Sequence, residues 1–378
     1  MAIAAQRKER PDAPGVRNAG VWAVGLMSGT SMDGIDAALI RSDGAGTVTA
    51  GGFVSLPYDG EMRRMIRSVL GGKGPVAEVE RALTLRHAEA VRRLLAEAGL
   101  SPAAVKVVGF HGHTILHRPQ EGRTWQIGDG ALLAAETGID VVCDLRSNDV
   151  ALGGEGAPLV PLYQAALAGG LARPLAVVNI GGVANVTWIG AGEARVLAFD
   201  TGPGNALIND WVEQHGGEPL DRDGGLAAAG RADETILAAL LDNPYFARRP
   251  PKSLDRDDFT GQPVAGLSLE DGAATLTAFT AATIARAADH FPAPAARWLV
   301  TGGGRHNPTL MRDLAARVSA PVEPVEAVGW QGDALEAQAF AYLALRSLAG
   351  LPLTLPTTTG VSQPASGGRL HRAGGRAS

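Results

Sequence analysis

Apolar and polar positions along the chain alternate between two periods. Short apolar runs bounded by turn residues, at 21–27 (VWAVGLM), 104–110, 140–145, 175–180 (LAVVNI) and 297–303 (RWLVTGG), predict buried strands. Between them, apolar residues recur at helical spacing over 76–99, 160–172, 268–291 and 333–350. Strands that alternate with helices define an α/β chain. Residues 21–43 break the alternation, because two extended runs flank a short Gly, Ser and Asp turn, which predicts a β-hairpin. The same unit recurs at 175–190 (LAVVNIGGVANVTWIG), so two related halves are expected. Residues 1–19 lack periodicity and predict a disordered lead-in, and 360–378 predict a flexible tail. The expected domains are 20–155, with helix 333–350 packing back on it, and 156–332.

Composition narrows the function. A length of 378 residues with 46% hydrophobic and 19% charged positions suits two globular domains. With 34 Lys and Arg against 39 Asp and Glu, the net charge of −5 leaves no diffuse basic surface, so no nucleic-acid partner is expected. The single cysteine, Cys143, forms no intramolecular disulfide and fits a reducing cytoplasm. No run of about 18 apolar residues occurs, so no membrane partner is expected, and the location predicted is cytoplasmic.

The candidate chemistry lies in glycine-rich turns. Gly29-Thr30-Ser31-Met32-Asp33-Gly34 gathers small residues and hydroxyls, and consecutive backbone N–H groups in such a turn can wrap a phosphate. The alternative is an ordinary hairpin turn. The turn around Gly181 and Gly182 is the same kind of object, and two such turns on facing halves could clamp a polyphosphate. Gly302, Gly303 and Gly304 follow a strand and precede a helix, a place for close ligand approach or a plain strand-to-helix link. No GxxxxGK[ST] element occurs, which argues against a P-loop enzyme. Asp200, at a strand end before Gly202-Pro203-Gly204-Asn205, is a candidate general base or a turn-stabilising carboxylate. Gln126, Asp129 and Arg146 are polar groups at strand edges, and the fork of Arg146 suits a carboxylate. His111, His113 and His117 invite a zinc reading, but without a convincing third ligand a polar substrate contact or a structural role fits better. Asp333 reads as the cap of a helix with Glu336 in its first turn, or as a carboxylate facing a cleft.

In order along the chain stand GLMSGTSMDGIDAAL, FHGHT, TWQIGD, GGEGAPLVP, NIGGVAN, DTGPGN, PPKS, TGGGRHNP and GDALEAQAFAYLA. Together they resemble the anhydro-N-acetylmuramic acid kinases, from about residue 25 to 362. The resemblance implies a two-domain actin-like ATPase (ribonuclease H-like) fold with a central nucleotide and substrate cleft. It also implies an ATP- and Mg²⁺-dependent cytoplasmic enzyme of cell-wall recycling. Such an enzyme opens the 1,6-anhydro ring of N-acetylmuramic acid with water and phosphorylates O6. Another sugar kinase of the same superfamily is the alternative, and a homodimer is one arrangement open to the chain. By this resemblance the ATP-binding stretch falls on Gly29 to Asp36, including Ile35, together with Gly181, Gly182 and Gly302 to Gly304. The catalytic carboxylate falls on Asp200. His113, Gln126, Asp129, Arg146, Asn205 and Glu336 are the expected substrate contacts, with the lactyl carboxylate assigned to Arg146. Three departures stand out. Met27 and Asn179 occupy positions where the wider superfamily carries Asp, which leaves Asp33 or water to meet Mg²⁺. Glu155 replaces an expected Gln and adds a charge near the cleft.

Overall fold

The computed structural model describes residues 20–29, 31–191, 196–255 and 258–374. The lead-in 1–19, Thr30 of the first turn and the last four residues lie outside the described residues.

The first half opens with the antiparallel meander β1 (Val21–Ser28), β2 (Gly34–Ser42) and β3 (Val48–Pro57). Helices α1 (Gly60–Ser68) and α2 (Val76–Ala98) then lead to β4 (Val105–Arg118), which lies parallel to β1. Strand β5 (Arg123–Ile127) folds back on β4, and α3 (Gly130–Thr137) leads to β6 (Val141–Cys143), parallel to β4. The half closes with α4 (Ser147–Ala151). After α5 (Pro161–Leu167) the second half repeats the scheme, with an antiparallel meander of β7 (Leu175–Ile180), β8 (Val183–Ile189) and β9 (Val196–Pro203). Helices α6 (Ala206–Gly216), α7 (Gly225–Ala229), α8 (Glu234–Leu241) and α9 (Leu269–Arg286) precede β10 (Trp298–Thr301), parallel to β7. Helix α10 (Pro308–Arg317) leads to β11 (Val322–Pro324), parallel to β10. The chain ends in α11 (Leu335–Leu348), α12 (Pro356–Thr359) and β12 (Arg369–His371).

The two sheets therefore share one strand order, β3-β2-β1-β4-β6 and β9-β8-β7-β10-β11, with the same parallel and antiparallel senses. This duplicated order is the two-domain actin-like ATPase fold. Short apolar runs bounded by turn residues made the strands legible, and the glycine turns made both hairpins legible.

Helices α5 and α11 join the halves. Helix α5 lies on β8 and β9, α11 lies on β1, β2 and β4, and the two helices touch. One apolar cluster runs through them, from Ala23 and Val107 of the first sheet through Phe340 and Tyr342 to Leu175, Val177 and Leu299 of the second. The Tyr163 hydroxyl on α5 donates to Gln338 Oε1 on α11 at 2.9 Å, which satisfies two polar groups inside that cluster. The helix approaches the sheet so closely that a Cβ at Gly25 would lie 1.7 Å from the Ala337 carbonyl oxygen, and one at Gly109 2.0 Å from that of Phe340. Only glycine fits there.

Two expectations change. The tail from residue 360 is not flexible over its described part, since β12 pairs antiparallel with β6 and Ala365 bridges Thr354. Its short apolar residues, Val361, Ala365 and Ala373, are buried one at a time, a pattern without periodicity along the sequence. Asp333 does not cap α11, whose N-cap is Ala334; the carboxylate instead pairs with Arg305 Nη2 at 2.8 Å. Glu336 does lie in the first turn.

Candidate active site

Antiparallel pairing places side chains of facing residues on one side of a sheet. In the second half Asn179, Asn185 and Asp200 face one another in register across β7, β8 and β9. In the first half the corresponding row is Met27, Asp36 and Ser55 across β1, β2 and β3. Each half thus keeps one carboxylate in the row beside its glycine turn, on the strand next to Met27 in the first half and two strands from Asn179 in the second.

Asp200 is half-buried in β9. Its Oδ2 accepts from the Leu254 backbone N–H at 2.9 Å, and its own N–H donates to the Lys252 carbonyl at 3.0 Å. Burial pushes its carboxyl up to about 7; the Leu254 N–H opposes the rise and the nearby Glu155 charge adds to it. A carboxyl that titrates near neutrality is suited to take and return a proton. The strap 250–254 that holds it is anchored by Lys252, a buried ammonium that donates to the Tyr245 carbonyl at 3.1 Å and lies 4.6 Å from the Tyr245 ring centroid. The PPKS stretch gives no sign of the roles of Lys252 and Leu254, because a backbone carbonyl or N–H carries no side-chain signal.

The second glycine turn is braced by the residues that follow Asp200. Asn205 N–H donates to the Gly181 carbonyl at 2.7 Å, Gly204 N–H to that of Gly182 at 2.9 Å, and Asn205 Nδ2 to that of Ile180 at 3.0 Å. Gly302, at φ +75°, lies against Asn179 and Ile180, and Gly304 lies against Ile180, with Gly303 exposed. The three motifs around Gly181, Asn205 and Gly303 therefore meet. Asn205 holds the turn rather than reaching outward. Arg305, which follows, is buried and pairs with Glu326 and Asp333.

The first turn is looser. Met32 N–H donates to the Gly29 carbonyl at 3.0 Å, Met32 adopts φ 57°, and Ser31 and Asp33 are exposed. Ile35 points into the first-half core at 1% exposure, so it meets no ligand through its side chain. Asp36 is half-buried; burial raises its carboxyl above the ordinary range, and the Asp333 and Asp33 charges add to the rise.

Arg146 and Glu336 come together, as two of the expected substrate contacts. Arg146 Nε donates to His111 Nε2 at 3.1 Å and Nη1 to the Gly156 carbonyl at 2.6 Å, which fixes the plane of the guanidinium and leaves further N–H donors. Burial lowers its ionisation to about 10, and Glu336 and Asp149 counteract this. Burial of its carboxyl raises Glu336, the Arg146 charge opposes the rise and the Asp36 charge adds to it.

Three expected contacts have polar atoms engaged within the protein. His113 is at 0% exposure; its Nδ1 lies 2.9 Å from Ser28 Oγ, which bonds the Tyr58 hydroxyl at 2.7 Å, and burial holds the imidazole down at about 4. β4 carries it inward, and its Nε2 has no hydrogen-bond partner among the described residues. Asp129 caps α3, its Oδ1 accepting from the Ala131 and Leu132 N–H groups at 2.9 Å. Gln126 donates from Nε2 to Thr114 Oγ1 and Thr124 Oγ1 at 3.2 and 2.8 Å. Among the described residues no group of three His, Cys, Asp or Glu side chains converges on a metal position, so the histidine run is no zinc site there.

A duplicated actin-like ATPase fold, with a glycine turn and a nearby carboxylate row in each half, is the scaffold of a nucleotide-dependent phosphotransferase. Residues 21–373 match the anhydro-N-acetylmuramic acid kinase family, and the chain belongs to that family. It is 61% identical over 352 residues to an anhydro-N-acetylmuramic acid kinase of Paramagnetospirillum magneticum, covering 92% of this chain and 99% of the relative. It is 59% identical to that of Rhodospirillum rubrum, over 92% and 93% of the two chains, and 56% identical to that of Rhizorhabdus wittichii, over 93% and 98%. The chain is an ATP-dependent sugar kinase. No described helix is long and apolar enough to cross a membrane.

Proposed function

We propose that Asp200 is the general base of this kinase, acting on 1,6-anhydro-N-acetylmuramic acid in cell-wall recycling in the cytoplasm. Water attacks the anomeric carbon and gives its proton to Asp200, the bond from that carbon to O6 breaks, and O6 attacks the γ-phosphorus of ATP. The products are N-acetylmuramic acid 6-phosphate and ADP. The observation that carries this reading is a carboxylate aimed by a backbone N–H, with its ionisation raised to about 7, beside the braced glycine turn.

The turns at Gly29–Gly34 and Gly181–Gly182, with Gly302–Gly304, take the nucleotide, since phosphoryl transfer asks for positioning and charge neutralisation. Arg146 takes the lactyl carboxylate, and Glu336 lies beside it at the sugar. The donor set suits Mg²⁺, which is held by one or two carboxylates plus substrate phosphates and does not need a three-residue cage. Asp36, crowded by Asp33 and Asp333, is the carboxylate that would hold it. Bound there, the ion neutralises phosphate charge. Removal of divalent cations abolishes turnover and Mg²⁺ restores it.

The deciding experiment measures ADP release with Mg-ATP and the anhydro sugar, beside N-acetylmuramic acid and N-acetylglucosamine, with the phosphate position read by NMR. Turnover of the anhydro sugar alone with phosphate at O6 is expected. Turnover of an open sugar only would overturn the coupled ring opening.

A further inference from the structure

Glu155 lies in the link between α4 and α5, where the chain passes from one half to the other. Its N–H donates to the Thr359 carbonyl at 2.7 Å. Its two carboxylate oxygens are divided between the halves: Oε1 accepts from Gln120 Nε2, in the β4–β5 link, at 3.1 Å, and Oε2 accepts from Ser253 Oγ, on the 250–254 strap, at 2.8 Å. Ser253 stands between the two strap residues that hold Asp200, Lys252 through its carbonyl and Leu254 through its N–H. Lys252 is tied down inside the second half, by the Tyr245 and Phe246 carbonyls. Among the described residues the Ser253 hydroxyl is tied only to Glu155.

We propose that Glu155 is a positioning residue for the reaction: from the first half it holds Ser253, and through Ser253 the backbone that aims Asp200. This rests on the reading of Asp200 as the base. The arrangement has a second consequence, because an ionised Glu155 beside Asp200 disfavours a second negative charge. The groups around the pair are few. Tyr245 donates its hydroxyl to the Asp200 carbonyl, and the Lys252 ammonium is turned to backbone carbonyls. His117 from β4, Arg146 from the start of α4 and Asp255 from the strap lie on the Glu155 side, where burial and Arg146 keep His117 below its ordinary range. Near neutrality Asp200 changes charge, and the Lys252 ammonium, which burial lowers to about 8, follows on the alkaline side, so the acid limb belongs to Asp200.

The test uses the full chain with Mg-ATP and the anhydro sugar, recording kcat/KM against pH. Glu155→Gln keeps an oxygen for Ser253 and removes the charge; the acid limb moves to lower pH by roughly half a unit or more. Glu155→Ala and Ser253→Ala each lower kcat by about tenfold or more with KM for ATP unchanged, since small misplacements of a catalytic group are that expensive. The double variant is no worse than either single one, as expected for one shared bond. A Glu155→Gln acid limb coincident with the unsubstituted enzyme, or independent losses in the double variant, overturns the proposal. Loss of folded protein would show as a lowered thermal midpoint and would not displace the limb. Asp200→Asn separates the two readings. If it keeps full kcat, the base assignment fails, whereas an inactive Asp200→Asn beside an unmoved Glu155→Gln limb refutes the positioning role alone.

Discussion

The two glycine turns close equivalent hairpins on equivalent strands, yet they are held differently. The turn at Gly181–Gly182 is pinned by backbone and side-chain bonds from Gly204 and Asn205. Among the described residues the turn at Gly29–Gly34 is held by Met32 N–H donating to the Gly29 carbonyl and by Tyr58 N–H, just after β3, donating to the Asp33 carbonyl, and it exposes Ser31 and Asp33. Their carboxylates differ too: Asp36 stands on the middle strand of its meander and Asp200 on the last. A duplicated scaffold thus supplies a first turn with few braces and a second turn made rigid by the residues that follow Asp200. The physical origin is the loop after β9, which returns over the second turn through Gly204 and Asn205, whereas after β3 the chain bonds the first turn through the Tyr58 N–H and then enters α1.

The largest expected effect tests the rigid half. Asp200→Asn lowers kcat by about 10²-fold or more while ATP still binds, measured by steady-state turnover and nucleotide titration. Next comes the first half's fixed cation. Arg146→Ala raises KM for the sugar by about tenfold or more, the size of a lost hydrogen bond to a charged group, and leaves KM for ATP nearly unmoved. Equal changes in both constants would remove Arg146 from the sugar site.

The contrast between the turns is sharpened by matched substitutions. A Cβ at Gly204 would lie 2.2 Å from the Gly181 carbonyl oxygen, whereas one at Gly29 meets nothing closer than Ser31 Oγ at 3.7 Å. Gly204→Ala costs about 1–3 kcal/mol and lowers the thermal midpoint by several degrees. Gly29→Ala leaves the midpoint nearly in place and raises KM for ATP; the reverse ranking would break the comparison.

The smallest effects follow pH. Because Asp200 must be ionised to accept a proton, kcat/KM falls as pH drops below about 7. Its folded ionisation lies above the unfolded value of 3.8, so its contribution to stability is full below that value and is lost as pH rises toward about 7. Denaturant unfolding of Asp200→Asn should lack that part of the slope between about pH 4 and 7.

The repeated apolar runs, both hairpins, the long helices and the family motifs were readable from the chain, because each is a local pattern set by the strand and helix periods and by turn chemistry. Asp200 stood out for the same reason, at the end of an apolar run before Gly202-Pro203-Gly204. What lay beyond local pattern was direction and distance. His113 and Asp129 carry chemistry-bearing side chains, but only the packing of β4 and the start of α3 show that one is sealed in the core and the other spent on a cap. The partnership of Arg305 with Asp333, the grip of Leu254 on Asp200 and the pairing of β12 with β6 join residues far apart along the chain. Such contacts leave no period in the sequence. They exist because one close-packed arrangement of two sheets and the helices between them satisfies the buried polar groups, and that condition belongs to the whole fold.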